Sequence, residues 1–268
     1  MTAPSIDAVP KRVRLDQVLV QRGLAPSRER AQALILAGAV RVDGARADRA
    51  AAPVAEASEV AVDEGPRFVS RGGEKLAGAL DAFALEVAGR VAIDVGSSTG
   101  GFTDVLLQRG VARVHAIDVG KGQLDWTLRN DPRVVVHEGI NARDALPVAE
   151  TVDLVVADVS FISLRLVLPP ALALLREGGD VVALVKPQFE AGRGSVGKGG
   201  VVRDVAARAE AVLAVARDLA ARGAPVLAVA PSPIAGREGN REIFVHARKG
   251  ARGLEDAPLA RAAAAAAE

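Results

Sequence analysis

Residues 91–102 read VAIDVGSSTGGF, an apolar run that holds one acid and runs directly into a glycine-rich turn. Two later segments have the same build, DLVVADVSF at 153–161 and DVVALVKPQF at 180–189. Short Val-rich runs bounded by turn residues are expected of parallel strands buried on both faces. From Ser70 onward such runs alternate with helical patterns, so the fold class is α/β with a doubly wound, mostly parallel sheet. Ligands of such sheets bind beyond the carboxyl ends of the strands. Asp94, Asp158 and Lys186 are therefore expected along one rim.

The turn Gly96–Gly101 departs from the dinucleotide fingerprint G-x-G-x-x-G, because Ser98 stands in the place of the second glycine. Asp94 precedes it, and Asp118 ends the next strand, RVHAID, 24 residues further on. An acid about 20 residues past such a turn can accept hydrogen bonds from ribose hydroxyls. The N–H groups of the turn, with a helix beginning near Phe102, are expected to receive the polar end of a nucleotide-derived cofactor. The cofactor-binding set is then Asp94, Gly96, Ser97, Gly100, Asp118 and, after the third strand, Asn141. A second glycine-rich stretch, GRGSVGKG at 192–199, approaches the phosphate-loop pattern but lacks its final Ser or Thr, the residue that ligates Mg²⁺. It reads as a mobile loop over the site.

Topology brings two more residues to the rim. The helical pattern EKLAGALDAFALE precedes the first strand and runs against it, which places Lys75, in its first turn, near the carboxyl end of that strand. A final strand, REIFVHA, delivers Glu242 to the same edge if it is antiparallel to the others. Lys75, Asp158, Lys186 and Glu242 thus form a catalytic set. The chain uses 28 Arg and six Lys, so lysine is the exception where positive charge is concerned. Lysine can exchange a proton in a partly buried site and arginine cannot.

Composition narrows the classes. There is no cysteine, which excludes disulfides, thiolate metal sites and thiol nucleophiles, and His115, His137 and His246 are too scattered to suggest a metal. The N-terminus has no signal-like apolar run and no segment approaches the roughly 20 apolar residues of a membrane helix. The expected compartment is the cytoplasm. Net charge is only +1, yet residues 11–50 hold nine Lys or Arg against four acids. This local surplus suggests phosphate contacts.

That surplus lies in a small α+β module at 11–66. A helix is expected over Arg14–Arg22, a second from an N-cap at Ser27 to Gly38, and then a hairpin about Asp43-Gly44. Residues 67–250 make the larger domain. Residues 1–10 read as disordered, as does the alanine-rich tail 251–268, a frayed end with some helical character.

The pattern RLDQVLVQRGLAPSRERAQALILAGAVRVDG resembles the RNA-binding domain first defined in the fourth small-subunit ribosomal protein. On that likeness Arg14, Arg28, Arg30 and Arg41 contact phosphate. SRGGEKL, DVGSSTGGFTDVLLQRG, LRNDPRV, ADVSFISL, VKPQFEAG and GNREIF resemble, in order, the RrmJ/FtsJ ribose 2'-O-methyltransferases, and the two domains together resemble the TlyA family. The resemblance implies a Rossmann-like fold that uses S-adenosylmethionine to methylate cytidine 2'-hydroxyls in ribosomal RNA, as subunits or free RNA, with no metal and no membrane. It also implies Lys186 as general base held by Asp158, Lys75 as stabiliser of oxygen charge and Glu242 as their orienter. Phe68 stands in GPRFVS where related proteins are expected to carry tryptophan. A non-enzymatic RNA-binding or assembly protein and a haemolysin are the alternative readings.

Overall fold

A computed structural model describes residues 12–63, 65–191, 197, 199–236 and 238–268. The terminal segment 1–10 and most of the GRGSVGKG stretch, Lys198 included, lie outside the described residues. The chain divides into two compact units between Arg67 and Phe68.

In the first unit, strand β1 (Arg12–Arg14) leads directly into helix α1 (Leu15–Gln21), and helix α2 (Arg28–Leu36) follows. Ser27 caps α2 by accepting the Arg30 N–H at 3.2 Å, as its hydroxyl at that position predicts. Strands β2 (Val40–Val42) and β3 (Ala45–Arg46) form a hairpin whose turn, Asp43 at φ 49° and Gly44 at φ 79°, has the left-handed pair such a tight turn needs. Two short strands were not legible in the sequence. These are β4 (Pro53–Ala55), antiparallel to β1, and β5 (Val60–Val62), antiparallel to β2. Leu15, Leu19, Ala31, Ile35, Val40 and Val54 close a separate small core.

The second unit is built on seven strands: β6 (Val91–Val95), β7 (Arg113–Asp118), β8 (Val134–Glu138), β9 (Val152–Ala157), β10 (Leu175–Val185), β11 (Val226–Pro231) and β12 (Ile243–Arg248). Their order is β11-β12-β10-β9-β6-β7-β8. All neighbours are parallel except at β12, which runs antiparallel to both β10 and β11. Period-2 alternation divides the sheet's side chains between two cores. Ile93, Val95, Val155, Ala157 and Val181 face one, and Ala92, Leu154, Val156, Val182 and Leu184 face the other. Helices α6 (Leu164–Leu174) and α8 (Val205–Ala221) cover the first, and α3 (Arg71–Ala82) and α4 (Gly101–Gln108) cover the second. Phe68 is buried in this second core, and a Cβ on Gly73 would lie 2.3 Å from its ring.

Two readings need correction. The run at 180–189 is not strand throughout: β10 ends at Val185, and Pro187–Glu190 forms the short helix α7 with Lys186 at its N-cap. Proline, with its fixed φ and missing N–H, suits the first turn of a helix. The tail is also ordered, since Asp256–Ala267 forms helix α9 with Ala263, Ala266 and Ala267 buried. Spacing of three and four puts these residues on one face, and alanine combines the highest helix propensity with a side chain small enough to let a helix pack closely. A chain ending at Gly250 should lose roughly 2–4 kcal/mol of stability. Calorimetry should then show a melting temperature lower by about 5–10 °C.

Candidate active site

Strand order reverses between β6 and β9: the chain moves outward from β6 through β7 to β8, then crosses back to β9 on the other side. Such a switch point opens a crevice at the carboxyl ends of the two strands. Two cavities occupy it. One, of about 520 Å³, is lined by Asp118, Asn141, Val119, Ile140, Phe161 and neighbouring residues. The other, of about 420 Å³, is lined by Ser70, Arg71, Gly72, Lys75, Lys186 and the glycine turn. Gly96, Ser98, Asp158 and Ser160 line both, so the cavities adjoin.

The glycine turn is left-handed at Gly96 (φ 83°), Ser98 (φ 48°) and Gly100 (φ 98°). Gly96 allows a close approach, because a Cβ there would lie 2.6 Å from the Asp158 carbonyl oxygen. Gly100 faces inward, and a Cβ on it would meet Leu128 at 2.3 Å. Four N–H groups of the turn are engaged within the protein rather than offered to a ligand, while no acceptor among the described residues takes those of Thr99, Gly101 and Phe102, which line the second cavity. Gly96 and Ser97 donate to the Ile117 carbonyl at 2.9 and 3.1 Å, and Gly100 donates to the Ser97 carbonyl at 2.8 Å. Ser98 donates to Asp118 Oδ2 at 2.8 Å, and Gly120 to its Oδ1 at 2.7 Å.

Asp94 lines neither cavity, in contrast to the sequence reading; it is fully buried beneath the turn and accepts the Thr103 hydroxyl at 2.7 Å. Its other oxygen has no hydrogen-bond partner among the described residues. Burial pushes this carboxyl up to about 7, against the Thr103 hydrogen bond, and the negative charges of Asp158 and Asp118 add to the rise. Asp118 and Asp158 border a turn in which the donors of Gly96, Ser97, Ser98 and Gly100 are engaged, with the Asp94 carboxyl buried beneath, an acidic setting that disfavours a diphosphate. It favours a ligand bearing positive charge and hydroxyl donors.

The four rim residues form two ion pairs. Lys75 Nζ donates to Glu242 Oε2 at 2.6 Å with both side chains buried. Lys186 Nζ lies 2.7 Å from Asp158 Oδ1 and donates to Ser160 Oγ at 2.9 Å. The Lys186–Asp158 approach is off the hydrogen-bonding direction, so Oδ1 has a cation beside it but no aligned donor. The antiparallel register pairs Val185 with Ile243, which sets Lys186 and Glu242 across from each other just past the ends of β10 and β12. Sequence reasoning missed Ser160 and Ser98. Ser160 could have been found from its place two residues beyond Asp158, where the chain leaves the same strand end.

The four arginines of the first unit do not converge as one patch of ion pairs. Arg14 and Arg28 share Asp16, at 2.9 and 3.0 Å, whereas Arg41 pairs with Asp63 at 3.0 Å and the Arg30 side chain has no ion pair among the described residues.

A family model described as FtsJ-like methyltransferase matches residues 68–249, and one described as the S4 domain matches 13–60. Over 257 residues the chain is 52% identical to the Mycobacterium tuberculosis protein named 16S/23S rRNA (cytidine-2'-O)-methyltransferase TlyA, covering 92% of this chain and 96% of that one. The chain belongs to the TlyA family of FtsJ-like methyltransferases. A Brachyspira hyodysenteriae relative named Hemolysin A is 39% identical over 87% of this chain and 99% of its own. The solved structure of a proposed hemolysin from Streptococcus thermophilus aligns with a TM-score of 0.71 at 40% identity, covering 97% of this chain and 96% of that one. Among the described residues of this family member no helix is long and apolar enough to cross a membrane, and no group of three or more His, Asp or Glu could hold a metal ion.

The buried acid beneath the turn gives the site a pH signature. A carboxyl raised from 3.8 to about 7 adds stability at low pH that is lost as pH rises through about 7. Asp94→Asn removes this titration. The stability difference, wild type minus variant, should fall by roughly 3–4 kcal/mol between pH 4 and pH 8 in urea unfolding.

Proposed function

We propose that this chain transfers the methyl group of S-adenosylmethionine to the 2'-hydroxyl of a cytidine in ribosomal RNA, presented as free RNA or in a subunit. The observation that carries the reading is the junction of the two cavities. A pocket with an acceptor surplus, beside Asp118 and Asn141, opens through Gly96, Ser98, Asp158 and Ser160 into one holding Lys75 and Lys186. Relatives named as rRNA cytidine-2'-O-methyltransferases, together with the S4 and FtsJ-like matches, support the same substrate and cofactor.

The residues fit this cofactor. Asp118, at the end of β7, suits ribose hydroxyls, Asn141 lines the same pocket, and the carboxylates about the turn suit a sulfonium and an ammonium group. When bound, S-adenosylmethionine supplies a methyl carbon made electrophilic by its sulfonium. The chain's own residues must then align and deprotonate the hydroxyl. Alignment of reactants is worth roughly 7–11 kcal/mol and a general base about 10²–10⁴-fold. Lys186, entering the step as its neutral amine, would accept the hydroxyl proton on Nζ as the oxygen–carbon bond forms, and Asp158 beside it would compensate the ammonium that results. Ser160 holds the lysine in place. Lys75, steered by Glu242, stabilises charge on the oxygen before the methyl arrives. Arg14, Arg28, Arg30 and Arg41 contact RNA phosphates, and their affinity should weaken with salt as counterions are released.

Lys186→Ala and Asp158→Ala are expected to fold and bind RNA yet lose about 10²–10⁴-fold in single-turnover methyl transfer. Near-normal rates in Lys186→Ala would remove it as the base. Gly96→Arg should abolish S-adenosylmethionine binding in calorimetry, since a side chain there collides with the Asp158 backbone that borders both cavities. Deleting residues 1–66 should leave cofactor affinity unchanged and abolish efficient methylation at limiting RNA. Full methylation by the truncated chain would show that the second unit finds its substrate alone.

A further inference from the structure

Asp16, in the first turn of α1, is completely buried beside two arginines that are about half exposed. Arg14 reaches it with two donors, Nε to Oδ1 at 3.1 Å and Nη2 to Oδ2 at 2.9 Å. Arg28 Nη2 and Gln32 Nε2, four residues apart on one face of α2, each donate to the same Oδ2 at 3.0 Å. The hydrogen bonds from Arg14, with those from Gln32 and Arg28, hold the carboxyl well below the usual range despite its burial. One oxygen thus fixes two guanidiniums, whose Nη2 atoms cannot be farther apart than the sum of their distances to it. Each guanidinium carries five N–H donors in a planar fork, so both keep an unused edge toward solvent.

We propose that Asp16 is a positioning residue for RNA, holding Arg14 and Arg28 as a two-armed clamp that grips one backbone phosphate between their free edges. The inference rests on the reading that this unit binds RNA, and it adds a consequence that charge alone contradicts. Removing an acid from a phosphate-binding surface raises its positive charge and, by counterion release alone, strengthens binding. Removing the anchor frees two long side chains that must then be ordered on binding, which weakens it. The two effects have opposite signs. The clamp also requires that its arms act together, so their losses are coupled.

The test uses the full chain and a fluorescently labelled transcript of 23S ribosomal RNA, with binding followed by anisotropy at fixed salt. Asp16→Asn is expected to weaken binding about tenfold in spite of the added positive charge, with S-adenosylmethionine affinity unchanged. Arg14→Ala and Arg28→Ala should each weaken it, and the double variant should lose less than the product of the single losses. Unchanged or tighter binding by Asp16→Asn, with both single arginine losses intact, overturns the clamp and leaves the RNA reading standing. If neither arginine affects binding, the RNA reading for this surface falls and the clamp falls with it. Should Asp16→Asn lower the melting temperature of the chain enough to obscure affinity, two results still decide. Gln32→Ala, at an exposed position, removes one donor without altering charge and should give a smaller loss. Strictly multiplicative arginine losses overturn the clamp whatever the fold of the aspartate variant.

Discussion

The closest constraint on the site is the approach of two strand ends. A Cβ on Gly96 would fall 2.6 Å from the Asp158 carbonyl and 2.9 Å from Val159, so β6 and β9 can leave the sheet side by side only because that position is glycine in a left-handed conformation. The place of Asp158 at the rim follows from this contact. Asp158 borders both cavities because its backbone lies against the turn, and Lys186, just past the end of the next strand β10, reaches Asp158. Beyond them the same two chain segments stay fastened. Glu190 accepts the Ser163 hydroxyl and the Leu164 N–H, both at 2.6 Å, and Phe161 packs on Phe189 at 5.2 Å between ring centres. The exits of β9 and β10 are thereby joined, which, with the Lys186–Ser160 hydrogen bond, sets the lysine relative to the carboxylate.

What could be read in the sequence was what periodicity and topology determine. Val-rich runs identified β6, β9 and the buried part of β10, because residues covered on both faces leave a continuous apolar signal. Chain direction then placed Lys75 and Glu242, since a helix preceding a strand and a strand inserted antiparallel both return to the same edge. Hydrogen-bond bookkeeping around the turn was not legible. Whether Ser97 donates to a ligand or to Ile117 depends on the distance between β6 and β7, which no local pattern encodes. Asp94 was misplaced for a related reason: strand alternation points it into the core above α4, where Thr103 meets it, and the sequence shows only that it precedes the turn. The tail was misread because low complexity resembles disorder, although alanine spacing at 263, 266 and 267 makes a packing face.

The division of positive charge between arginine and lysine carries information of its own. Only six lysines occur among 34 basic residues, and two of them, Lys75 and Lys186, sit in the rim ion pairs. Arginine serves where a fixed charge and a planar fork are useful. Examples are Arg14 across Asp16, and Arg248 and Arg90 on Asp180, whose buried carboxyl they and His246 keep below the usual range. Lysine is a compact donor with a removable proton, which suits the proposed approach to a hydroxyl and its deprotonation.

The two rim pairs are not equivalent. Lys75 and Glu242 are 10% and 4% exposed and joined by a direct hydrogen bond, while Asp158 is 20% exposed and meets Lys186 without an aligned one. A buried ion pair recovers little more than its desolvation cost, so neither pair is explained by stability alone. The closed pair is suited to hold a fixed charge beside a developing oxygen anion. The open pair has spare acceptor capacity on Asp158 and a third lysine donor, which lets it change partners when a hydroxyl arrives. A site that only bound RNA would gain nothing from leaving a carboxylate oxygen without an aligned donor at the junction of two cavities. In the proposed reaction a proton moves at this junction, and an Asp158 oxygen with a cation beside it but no aligned donor, next to Lys186 and Ser160, suits that step.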